Sequence, residues 1–132
     1  MSFADELRKK SDQAPKSVQD EEKAYLNEVY YSIKEGVLRC FLRKCYEEAS
    51  RGETKLQMYV DFLHIIGIIH EQERVFVNQT DYPYVEQLLR TNRADLTAFL
   101  MEGLRKKGFT NIKVKVSASR LMGYAIKISV SW

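Results

Sequence analysis

The chain has 132 residues, of which 45% are hydrophobic and 30% charged, and its formal net charge is +3. A chain of this length fits one domain and buries about two thirds of the surface its unfolded form exposes, so it needs no disulfide or metal staple. The longest apolar cluster, Phe62 to Ile69, is too short to cross a bilayer and is interrupted by His64 and Gly67, which argues against a membrane-spanning helix. The opening residues are polar and charged, unlike a secretion signal, and a cytoplasmic protein without a membrane partner is expected.

Charge is spread unevenly. Residues 1–35 carry eight acids and six bases, whereas residues 101–132 carry seven bases and a single acid, Glu102. The basic end is the one compositional hint of an acidic partner. Cys40 and Cys45 are five positions apart in one expected helix. That spacing holds their α-carbons about 8 Å apart, too far for a disulfide. With only two histidines present, a structural zinc site is not expected, and the two thiols read as buried and free.

Residues 1–16 read as an N-terminal arm. Ser2 and Asp5 have capping-box spacing, and Phe3 and Leu7 lie one helical turn apart, so a brief helix is expected until Pro15 stops it. Residues 17–132 read as one α+β domain. Ser17 has the N-cap residue type, Asp20 follows three residues on, and Glu21 and Glu22 suit the positive end of a helix. Leu26, Val29, Tyr30, Ile33, Val37, Cys40 and Phe41 recur at steps of three and four, and Gly52 closes the helix. Gly36 inside it invites a bend or a close backbone approach. A second apolar line, Leu38, Leu42, Cys45 and Ala49, lies about 100° from the first. One sheet face does not readily cover both lines, so a partner or the N-terminal arm is expected over the second.

Leu56, Met58, Val60 and Phe62 alternate with polar residues, the pattern of a half-buried strand. The following stretch, Leu63 to Gln72, fits strand, loop or helix. Residues 73–79, with Val75 and Val77, read as a second strand. Pro83 suits the first turn of a short helix. Asn92 and Asp95 start a better one, with Leu96, Phe99, Leu100 and Leu104 as its stripe and Gly108 at its end. Ile112, Val114 and Val116 alternate with Lys113, Lys115 and Ser117. Tyr124, Ile126, Ile128, Val130 and Trp132 then face inward in a final strand. The order is α-β-β-α-α-β-β, and its natural solution is a two-layer α/β sandwich, with the long N-terminal helix packed on a mainly antiparallel sheet. In that arrangement Trp132 fills the end of the core.

The opening MSFADELR and the closing KGFTNIKV and YAIKISVSW resemble those of small uncharacterised bacterial proteins, some carried on prophages or mobile elements. The resemblance covers about a third of the chain and brings no catalytic or binding residue. It implies only a mobile-element accessory protein.

No phosphate-binding loop, dinucleotide fingerprint, H-E-x-x-H or nucleophile elbow is present. No cofactor is expected. The best enzymatic constellation is Asp61 with His70, Glu71 and Glu73. On an extended segment His64 and His70 point the same way, and these acids then suit a hard metal for hydrolysis. Solvated acids and locally bonded histidines explain the same residues. Lys113, Lys115 and Lys127 fall on one outer face, with Arg120 near the turn, a pattern able to meet phosphates. Lysine on outer strand faces also guards against edge aggregation, and the outward positions of this hairpin hold no aromatic. Tyr25, Tyr31 and Tyr46 fall off the main helical stripe, and Tyr59 lies on the polar side of its strand. Such tyrosines suit interfaces and core edges alike.

The leading expectation is a non-enzymatic interaction domain. It self-associates through Leu38, Leu42, Cys45 and Ala49, or acts as an adaptor or inhibitor of a larger bacterial machine. The alternatives are weak, sequence-independent nucleic-acid binding through Lys113, Lys115, Arg120 and Lys127, and a metal-dependent hydrolase built on Asp61, His70, Glu71 and Glu73.

Overall fold

The computed structural model describes residues 2–119 and 123–132, with side chains at all of these except 8–20, 22 and 119. The first helix, α1, runs from Phe3 to Ser50, about 70 Å at 1.5 Å per residue. Ser2 caps it, its Oγ accepting from the Asp5 N–H at 3.3 Å. The helix passes through Pro15 without a break, so the expected stop there and the fresh start at Ser17 are corrected. Proline removes one backbone donor and crowds the carbonyl four residues back, a cost of about 3 kcal/mol. Gln13, Ala14 and Lys16 beside it, and Glu, Leu, Lys and Ala in the turns beyond, favour helix and offset the weaker Ser11, Asp12, Ser17 and Val18. At the other end, Gly52 adopts φ +86°. Its N–H donates to the Ala49 carbonyl and the Glu53 N–H to the Glu48 carbonyl, the left-handed cap expected of that glycine.

Strand β1, Lys55–Asp61, leads directly into helix α2, Phe62–Glu71. The ambiguous segment is therefore a helix, and Asp61 starts it by accepting from the His64 N–H at 2.8 Å. Four isoleucines, Ile65, Ile66, Ile68 and Ile69, are buried. The expected strand over 73–79 does not form. Val77 is buried there and Phe76 exposed, which is a strand-like alternation, but no strand pairs with this segment. Side chains satisfy its backbone instead: the Val77 N–H donates to His70 Nε2 at 3.1 Å and the Phe76 carbonyl accepts from the Tyr25 hydroxyl at 3.2 Å.

A short 3-10 turn, Gln79–Asp81, precedes helix α3, Tyr82–Thr91, which has Pro83 in its first turn. Helix α4, Arg93–Lys106, follows at once. Asn92 stands at its start as expected, but its side chain makes no capping bond and donates to the Leu88 carbonyl instead. Strands β2, Asn111–Ser119, and β3, Gly123–Ser131, complete the chain. The sheet order is β1-β3-β2, and both neighbouring pairs are antiparallel. The result is an α+β fold in which helices cover one face of a three-stranded sheet.

The core lies between the sheet and α1. Val29, Ile33, Val37 and Phe41 are fully buried, one per turn of α1, against Ile126 and Ile128 of β3 and the leucine stripe of α4 (Leu96, Leu100, Leu104). Glycines set two of the helix contacts. A β-carbon at Gly36 would run into the Gln72 amide and lie 3.1 Å from Ile68 Cγ2, so α2 crosses α1 there. A β-carbon at Gly103 would lie 2.6 Å from Leu38 Cδ2, so α4 closes on α1 there. Near the start of α4 the Tyr30 hydroxyl donates to Asp95 Oδ2 at 2.6 Å, and Lys34 lies 3.4 Å from the same oxygen. The Tyr30 hydrogen bond, helped by Lys34, holds the Asp95 carboxyl below the usual carboxylate range. Burial and the same bond push the Tyr30 hydroxyl well above the usual phenol range.

Trp132 does not fill the core as expected. β3 ends at Ser131, and Trp132 remains 44% exposed, its ring edge-on to Phe109 with centroids 6.4 Å apart. Its N–H still donates to the Thr54 carbonyl at 2.8 Å. It therefore closes the end of the sheet from the rim.

Candidate nucleic-acid interface

The uncovered face of the sheet is built from alternate residues of three strands, and the register aligns them in rows. Lys55 stands beside Ser131, which stands beside Asn111; Gln57, Ser129 and Lys113 form the next row; Tyr59, Lys127 and Lys115 the next. Each inward neighbour of these residues is apolar, which fixes the phase: slipping any strand by one residue would bury its polar set. Lys113, Lys115 and Lys127 thus share one open face, as expected. Arg120 lies outside the described residues.

The strand order adds what the hairpin alone does not contain. β1 pairs with the far side of β3, so Lys55 and Tyr59 join the same face. Tyr59 is 57% exposed and lies directly across from Lys127. The hairpin's own outward positions hold no aromatic, as expected; the aromatic on this face comes from the first strand, 54 residues or more before the lysines of the hairpin.

Two electrostatic features mark this face. Among the described residues, Asp61 is the only acid at an outward strand position, and its carboxylate is engaged in capping α2. Lys115 and Lys127 are direct cross-strand partners. Like charges placed opposite each other destabilise a sheet, and neither lysine has an ion pair among the described residues. A cavity of about 510 Å³ lies on the β2 side of the sheet, lined by Gln57, Lys113, Lys115, Lys127 and Ser129 of the open face and also by Met101 of α4 and the inward residues Ile112 and Val114. The arrangement offers fixed positive charge beside an exposed aromatic ring. Among the described residues it holds no cluster of metal ligands.

The other expected sites fare differently. Leu38 packs on Gly103 of α4, Leu42 is half-buried against the core and Cys45 is 7% exposed; only Ala49 is open. The second helical stripe is therefore partly covered within the chain, with α4 closing on α1 at Leu38. The N-terminal arm is not the cover, since Phe3 and Leu7 are 74% and 51% exposed. Burial raises the Cys45 thiol above its ordinary range, as befits a packed thiol.

The metal constellation is dispersed by helix formation. His64 and His70 lie six positions apart on a helix, which turns them to different sides. His64 is exposed, whereas His70 is half-buried with its Nε2 occupied by the Val77 N–H and its ring stacked on Phe76 at 4.7 Å. Glu71 is exposed on α2, and Glu73 follows in a positive-φ turn. No group of three potential ligands gathers among the described residues.

No family model, curated protein or solved structure matches the chain.

Proposed function

We propose that this protein binds single-stranded nucleic acid, without sequence preference, on the open face of its sheet. The observation that carries the reading is the strand order β1-β3-β2, which joins Lys55, Lys113, Lys115 and Lys127 with exposed Tyr59 on one surface. Lysines neutralise phosphates but read no base. An exposed tyrosine offers a platform on which any base stacks, and stacking on an aromatic contributes roughly 1–3 kcal/mol per base. A duplex presents no free base to that ring, so the pairing of charge with one aromatic favours a single strand. A bound phosphate would also relieve the unneutralised Lys115–Lys127 pair.

The test is fluorescence anisotropy with a labelled oligothymidylate over a salt series. Four phosphate contacts on a single strand predict a slope of log K against log salt of about −3. The triple substitution of Lys113, Lys115 and Lys127 by Gln should abolish binding with the helical circular dichroism signal unchanged. Tyr59→Ala should weaken binding about tenfold or more without altering the slope. Tight binding that survives high salt, or that persists in the triple variant, overturns the reading.

A further inference from the structure

The sheet has two edges, β1 and β2, and they are built differently. β2 carries Lys113 and Lys115 in mid-strand. Antiparallel pairing of β2 with a second copy of itself, centred on Lys115, would set Lys115 against Lys115. That like-charge clash is a common guard on sheet edges. β1 has no such guard. Its seven residues, Lys55–Asp61, contain no proline, no inward charge and no charge between the two ends. Those ends are of opposite sign.

We infer that β1 is the interface for a second copy of this chain, joined edge to edge about a twofold axis through Met58. In that register Leu56 meets Val60 and Gln57 meets Tyr59, while Lys55 meets Asp61 at both ends of the ladder. Inward residues face inward residues, so both cores continue across the junction without a phase change. Each Asp61 uses Oδ1 to cap α2, which leaves Oδ2 for the lysine of the other copy. The interface is isologous, the commonest form of association between identical chains. Alongside β1, a groove of about 360 Å³ separates the strand from the last turns of α1. Its charged lining, Lys44, Glu47, Glu48 and Arg51, sums to zero, so two such grooves meet without the repulsion that β2 imposes. The joined sheet has six strands, and its open face carries Lys113, Lys115, Lys127 and Tyr59 of both copies side by side, while each Lys55 is taken up by Asp61 of the other copy. This lengthening of the nucleic-acid track rests on the function proposed above; the dimer itself does not.

Sedimentation velocity without nucleic acid tests the dimer. Mass should rise from monomer toward dimer as protein concentration increases through the micromolar range. Lys55→Glu alone places a glutamate against Asp61 of the other copy and should remain monomeric. Asp61→Lys alone places a lysine against Lys55 and should do the same. An equimolar mixture of the two variants pairs opposite charges again and should dimerise. A monomeric wild type at all concentrations, or a mixture no more associated than its components, overturns the inference. Should Asp61→Lys fail to fold because α2 loses its cap, the double variant Gln57→Cys, Tyr59→Cys gives an independent readout. Oxidation should then produce a covalent dimer, and its absence overturns the inference equally. The Lys113, Lys115, Lys127 triple Gln variant should lose nucleic acid yet still dimerise, which separates failure of the dimer from failure of the binding face.

Discussion

Lys115→Glu should make the protein more stable while removing the nucleic-acid binding proposed for the open face. Lys115 lies directly across from Lys127, where β-carbons sit about 5 Å apart. Extended ammonium groups splay to about 7 Å, a separation at which two unit charges in water repel by roughly 0.6 kcal/mol. Reversing one charge turns that repulsion into attraction, a change of about 1.2 kcal/mol. Side-chain entropy and screening on an exposed surface reduce it to about 0.5–1 kcal/mol. For a chain of this size the melting temperature should rise by about 2–3 °C. Differential scanning calorimetry at low salt measures this, and the gain should vanish at ~1 M salt, where the Debye length falls to about 3 Å. A melting temperature at or below wild type at low salt refutes the reasoning, as does a gain that salt leaves intact. Either result means that the two lysines do not feel each other and that the face holds no unneutralised charge.

Further outcomes are expected elsewhere in the fold. Leu42→Glu should lower the denaturant midpoint rather than dissociate an oligomer, because Leu42 packs half-buried against the core; equilibrium unfolding beside sedimentation distinguishes the two. Asp95 has a depressed carboxyl pKa, so its contribution is present above the unfolded carboxylate range and is lost as pH falls through and below that range; Asp95→Asn should flatten the acid limb of the stability profile. Tyr30 is raised, so stability should decline as pH climbs past the ordinary phenol range, and Tyr30→Phe should soften that alkaline decline. Trp132→Ala should cost about 2 kcal/mol, less than a fully buried aromatic, and native Trp132 fluorescence should peak between the buried and aqueous extremes.

Much of this fold is legible in the sequence because local chemistry and tertiary packing agree. Ser2, Gly52 and Gly108 set helix ends by rules that act within a few residues, and the alternation in β1 and β3 matches the faces that are buried. The errors arise where distant parts of the chain decide. Pro15 signals a break, but the helix runs through it, with helix formers such as Ala14 and Lys16 beside it. Val75 and Val77 alternate like a strand, yet pair with no other strand, and His70 and Tyr25 take up the backbone groups instead. The candidate site is half legible for the same reason. Alternation puts Lys113, Lys115 and Lys127 on one side of a hairpin, and it equally puts Tyr59 on the polar side of β1. Nothing local says that β1 pairs with β3, so pattern alone does not join the ring and the lysines into one surface. The second stripe of α1 is the converse case. Its pattern reads as calling for a partner or the N-terminal arm, because α4's approach depends on Gly103 meeting Leu38, a contact between residues 65 positions apart.

The central claim is that the open sheet face is where nucleic acid sits, and amide chemical-shift mapping tests it most directly. Titrating the isotope-labelled protein with an unlabelled single-stranded oligonucleotide at low salt should move the amides of Lys55, Gln57, Tyr59, Lys113, Lys115, Lys127 and Ser129, while those of Val29 to Phe41 in α1 stay in place. Shifts confined to the helices, or spread evenly over the molecule without a cluster on these strands, would contradict the account.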